Sequence, residues 1–113
     1  MRIVKVYKTL LWVSMVIVLI LSLIPMHGPA SVSGQDKLHH FIAYAFLCWL
    51  AIQSYRHRFS IISIGLALVF LGLAIELAQY FTGYRYAEIA DALANTAGIL
   101  LVVTLTYLWH YLE

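Results

Sequence analysis

Apolar runs of bilayer-crossing length follow one another along almost the whole chain, and each stops at a helix breaker or a cluster of polar residues. A membrane-spanning helix takes about 20 mostly apolar residues, so four of them consume most of the 113 available. Composition agrees, with 64% of residues hydrophobic and 11% charged, against about 45–50% and about 25% in a soluble domain. No length remains for a soluble catalytic domain, so any function has to be built from the helices and the turns between them. A net charge of +2 is too small for the basic field that draws a protein to nucleic acid. One cysteine, Cys48, allows no internal disulfide and no cysteine-rich zinc site, and it reads as a small buried hydrophobe.

The first run extends from Thr9 to Ile24 and stops at Pro25, which cannot continue a helix without losing a hydrogen bond. It predicts a span over about 8–25. The second, about 37–55, begins beside Asp36 and Lys37 and ends at Arg56-His57-Arg58. The third, about 59–81, carries one acidic residue, Glu76. The fourth, about 89–111, has Asp91 and Asn95 in its first two turns. The expectation is a single all-α membrane domain over 1–113, a four-transmembrane-helix bundle, with Pro25–Gly34 as a connector rich in helix breakers. No repeat of solenoid or inverted-transporter period is present.

Arg2, Lys5 and Lys8 precede the first span, and Arg56 and Arg58 separate the second from the third, whereas the opposite loops hold only Lys37 and Arg85. The positive-inside rule then puts both termini in the cytoplasm and the 26–35 and 82–88 loops outside. The basic start, apolar stretch and small residues near Ala30 are also features of a secretory signal, but the apolar run is at the long limit for one. An uncleaved first span is the preferred reading. Tyr7, Trp12, Trp49, Tyr55, Tyr107, Trp109 and Tyr111 lie mostly toward the cytoplasmic ends, where aromatic rings favour the interface. Tyr80, Phe81, Tyr84 and Tyr86 bunch at the external turn as an outer belt or an apolar wall.

Ionisable residues are costly inside a membrane, so their placement carries information. Asp36, Lys37, His39 and His40 open the second span, Glu76 and Gln79 close the third, Arg85 follows, and Asp91 and Asn95 open the fourth. Alternating orientation brings all of these to one, external, membrane face. Asp36, His40 and Tyr44 recur at four-residue steps, as do Asp91 and Asn95, and Glu76 and Gln79 are three apart, so each helix presents one polar stripe. Lipid offers such stripes no partner, which predicts that they face each other or a wet cavity. Ala90, Ala94 and Gly98 beside one stripe, and Ala74 and Ala78 beside Glu76, would let the helices approach closely.

The pattern Asp36-Lys37-x-x-His40-x-x-x-Tyr44, then Glu76-x-x-Gln79, then Arg85 and Asp91-x-x-x-Asn95-x-x-Gly98, resembles the VanZ-like family of small polytopic bacterial membrane proteins. The match runs from Asp36 to Gly98, about three of the four spans, with His39 as an extra histidine beside the matching one. The resemblance implies a multi-pass protein of the bacterial plasma membrane, in a family named for a member that raises tolerance to the glycopeptide teicoplanin. It implies an address better than an activity.

Three functional expectations follow. In the first, Lys37, Tyr44, Gln79, Arg85 and Asn95 bind a lipid-linked cell-wall precursor or a phospholipid headgroup, and Asp36, His40, Glu76 and Asp91 do acid–base work. In the second, the same residues pair with one another as helix glue in a non-catalytic scaffold subunit of a cell-wall or transport complex. An oligomeric permeation or lipid-translocation path is a third. Without an H-E-x-x-H signature or a second histidine at ligand spacing on another helix, no metal is assigned. The pattern names no cofactor, and neither enzymatic activity nor oligomeric state can be read from it.

Overall fold

The computed structural model describes residues 2–23, 35–82 and 89–112, with side chains at 2–21, 38–81 and 92–112. These residues form four helices: α1 (Arg2–Leu23), α2 (Gln35–Tyr55), α3 (Ile61–Thr82) and α4 (Ile89–Leu112). Among the described residues there is no strand. The helices therefore lie where the apolar runs predict them, with one difference at the amino end. Helix α1 begins at Arg2 rather than near residue 8, because Lys and Arg are good helix formers and their long stems carry the charge away from an apolar helix surface.

The break between α2 and α3 has a local cause. The Arg58 and Phe59 amides both donate to the Tyr55 carbonyl, at 2.9 Å each, closing the last turn of α2. Ser60 then caps α3: its hydroxyl oxygen accepts from the Ser63 amide at 3.1 Å, and its carbonyl accepts from the Ile64 amide at 3.0 Å. The basic triplet Arg56-His57-Arg58 is exposed on this turn. We call this the turn end of the bundle and the opposite end the polar end.

Packing is organised around α2, which contacts all three other helices, while α1 and α4 do not touch each other among the described residues. Tyr44, Leu47, Cys48, Leu50, Ala51 and Ile52 of α2 are buried, joined by Leu11 of α1, Ile64 and Leu68 of α3 and Ile99 of α4. Cys48 is fully buried, as its apolar setting predicts. Helices α2 and α4 run parallel, since His40 meets Asn95, Phe41 meets Gly98, Cys48 meets Ile99 and Arg56 meets His110 in ascending order along both. Helix α3 runs against α4, with Gly72 beside Asn95 and Gly65 beside Val103.

Three helical stretches are long and apolar enough to cross a membrane: Arg2–Leu21, Ile61–Phe81 and Ala92–Leu112. Helix α2 has 21 residues, about 32 Å at 1.5 Å per residue, but His39, His40, Gln53 and Ser54 dilute its apolar character. Of these, Ser54 is buried and His40 and Gln53 are half-buried, while His39 is exposed. The outer face of α2, Leu38, Ile42, Phe46 and Trp49, is nonetheless exposed and apolar. So are Val13, Val16 and Ile20 of α1 and Ile62, Leu66 and Phe70 of α3, a continuous greasy exterior that water does not tolerate on a monomer.

Candidate functional site

At the polar end, α2, α3 and α4 are drawn together by two glycines. Gly98 packs so closely on α2 that a Cβ there would stand 2.4 Å from the Phe41 carbonyl oxygen and 3.1 Å from the Ala45 nitrogen. On α3, a Cβ at Gly72 would be 3.3 Å from both the Asn95 amide nitrogen and the Tyr44 ring. Residues of three helices therefore meet around one point. Small residues at such crossings are what allow polar side chains on neighbouring helices to reach each other inside a membrane.

Around these contacts the predicted stripes do converge. His40 Nδ1–H donates to the Asn95 side-chain carbonyl at 2.9 Å, joining α2 to α4 across 55 positions of sequence. Tyr44, one turn further along α2, is 2% exposed, and the Glu76 carboxylate of α3 lies within electrostatic reach of its phenol. Gln79 and Asn95 are 3% and 4% exposed, and Glu76 8%. Four polar side chains taken this far out of water cost several kcal/mol unless each is hydrogen-bonded, so their shared location is a built feature.

His39 points away and is exposed, whereas His40 faces the bundle interior, which resolves the ambiguity of the adjacent pair: a step of about 100° separates them. The expectation for Ala74 is corrected. Ala74 lies on the exposed face, because two residues turn a helix by about 200° from Glu76, and Gly72 makes the close approach instead. Ala78 and Ala94 are half-buried. The signal for Gly72 was present as a small residue one turn before Glu76.

Of the remaining expected residues, Asp36 and Lys37 fall in the first turn of α2, and Asp91 in that of α4. The parallel register places positions 36 and 91 one turn beyond the His40–Asn95 pair on their two helices. Their side chains, and Arg85 altogether, lie outside the described residues, as do Tyr84 and Tyr86. Tyr80 and Phe81 are exposed and stacked edge to face at 5.7 Å, consistent with an outer belt. Among the described residues, no three His, Cys, Asp or Glu side chains are grouped to hold a metal ion.

The turn end holds chemistry that sequence spacing does not signal. The Trp12 indole N–H donates to the Tyr55 hydroxyl at 3.0 Å, and the Lys8 ammonium sits 5.1 Å from the centre of the same ring. Tyr7 packs edge-on to Trp49 at 5.5 Å. Arg56 contacts His110 of α4, and the buried Ser54 hydroxyl donates to the Leu50 carbonyl at 2.7 Å. Trp12 and Tyr55 therefore join helices as well as sitting at an interface.

A helical bundle with a greasy exterior and a cluster of buried polar groups at one end is a polytopic membrane protein with an intramembrane polar site. The VanZ/LLP1 family profile matches residues 3–110, and the chain belongs to that family. An uncharacterised protein of Schizosaccharomyces pombe is 33% identical over 100 residues. The match takes in 84% of this chain, which spans 61% of that relative's length. No solved structure matches.

Proposed function

We propose that this VanZ-like membrane protein binds a polar or anionic headgroup at the polar end, with the ligand drawn from lipid-linked, cell-wall-related molecules. The observation that carries this reading is the convergence of His40, Tyr44, Glu76, Gln79 and Asn95 from three helices at one end of an otherwise apolar bundle. Intramembrane ionisable groups are by default candidates for function. In the proposed site Lys37 and Arg85 meet phosphate or carboxylate, Tyr44, Gln79 and Asn95 orient it, and Asp36, His40, Glu76 and Asp91 carry any proton transfer. The charge of the loops supports the outside of a plasma membrane as the location of this end. In a bacterium, sequestering or altering a wall precursor there would change susceptibility to glycopeptides such as teicoplanin, the trait for which the family is named.

A second reading rests on the His40–Asn95 bond, a mutually satisfied contact between helices: the cluster is glue for a scaffold subunit. The two separate by mutation. The ligand reading predicts that Glu76→Gln and Asp91→Asn accumulate in the membrane and melt within a few degrees of the parent while teicoplanin tolerance in a sensitised bacterial host is lost. Variants that fail to accumulate support the glue.

A further inference from the structure

At the turn end, remote from the polar cluster, a cleft of about 470 Å³ opens between α2 and α4. Its apolar lining includes Trp49 of α2 and Val102 and Leu105 of α4, and its polar lining includes Gln53, Arg56 and His110. A lining that is greasy along one part and cationic at another suits a molecule of the same two-part character. Arg56 is exposed and reaches across to His110. A guanidinium has five N–H donors in a planar fork, so that one contact leaves donors for a phosphate, which arginine holds bidentately. Gln53 is three residues earlier and hence on the same helix face, where its amide adds a donor. Thr106 also lines the cleft, but its hydroxyl hydrogen is committed to the Val102 carbonyl at 2.8 Å.

Charge decides which amphiphile is preferred. Lys8, Arg56 and Arg58 gather around this end, and the sequence sets one acidic residue, Glu113, against them directly after α4. A zwitterionic headgroup gains little from that field, whereas a net negative one gains from each basic group near the surface. The apolar stretch argues against a free anion, which would leave Val102 and Leu105 with nothing to contact.

We propose that this cleft binds an anionic phospholipid, its phosphate on Arg56 and Gln53 and an acyl chain along Val102 and Leu105. The site is separate from the polar end and does not depend on what binds there.

Trp49 and Trp109, both lining the cleft, report on it directly. The full chain carrying Trp12→Phe is placed in phosphatidylcholine nanodiscs containing a small fraction of phosphatidylglycerol brominated on its acyl chains. The expected result is quenching at about five-fold lower mole fraction than with brominated phosphatidylcholine, the effect of about one specific basic contact. Arg56→Gln abolishes the preference, and Arg58→Gln, which removes the same charge outside the cleft, preserves it. Should Arg56→Gln not fold by circular dichroism, Gln53→Leu is read in its place and weakens the preference. Equal losses in the variant read and in Arg58→Gln would assign the effect to the general field and overturn the site, as would the absence of any preference. Displacement of the brominated lipid by soluble glycerol phosphate would overturn the lipid assignment in favour of a free anion.

Discussion

A methyl group at position 98 has nowhere to go, because it would stand 2.4 Å from the Phe41 carbonyl oxygen, a backbone atom that cannot rotate aside. Gly98→Ala should therefore force α2 and α4 apart and cost about 1–3 kcal/mol, read as a clear fall in the melting temperature of the detergent-purified protein. An unchanged melting temperature would mean that the helices do not cross this closely. At the same scale, much of the site's geometry is legible in the sequence. Four-residue spacing put His40 and Tyr44 on one stripe and Glu76 with Gln79 on another, because a helix repeats every 3.6 residues. Which of the adjacent His39 and His40 faces inward was not settled by spacing alone, since they sit about 100° apart and only the position of α4 decides. Gly72 was missed for the same reason: a glycine announces a close approach only once its neighbour is known.

Helix α2 combines bilayer-crossing length with a polar start and a central position. Its neighbours half-bury His40, and beyond His39 its outer face is the apolar row Leu38, Ile42, Phe46 and Trp49, which is how a helix of modest hydropathy can cross. A topology experiment tests this without disturbing the core. Cys48 is fully buried and so provides a silent background for introduced thiols. Ser33→Cys should react with an impermeant reagent added to intact cells, and His57→Cys, on the exposed turn, only after the cells are opened. Labelling of both from one side would show that α2 does not cross. An exchange of the two sides would reverse the orientation that Arg2, Lys5, Lys8, Arg56 and Arg58 indicate. Element positions were the most legible level of all, because long apolar runs bounded by Pro25 and the 56–58 charges leave few alternatives. The pairing of Trp12 with Tyr55 and of Arg56 with His110 was not, as these residues are about 43 and 54 positions apart and join helices whose order in the bundle a linear pattern does not state.

The whole molecule is asymmetric from end to end. One end gathers half-buried His40 with buried Glu76, Gln79 and Asn95, and the other gathers Lys8, Arg56 and Arg58 around aromatic rings. Family membership agrees with the membrane bundle, and the similarity extends to a protein of Schizosaccharomyces pombe. On the proposed function, the polar end holds a ligand as well as holding helices together. Native mass spectra of the detergent-purified parent beside Glu76→Gln test it most directly. A ligand-holding polar end gives a defined adduct on the parent that the equally folded variant has lost, and the adduct's mass names the ligand class. Bare protein in both spectra, or the same adduct on both, would contradict it.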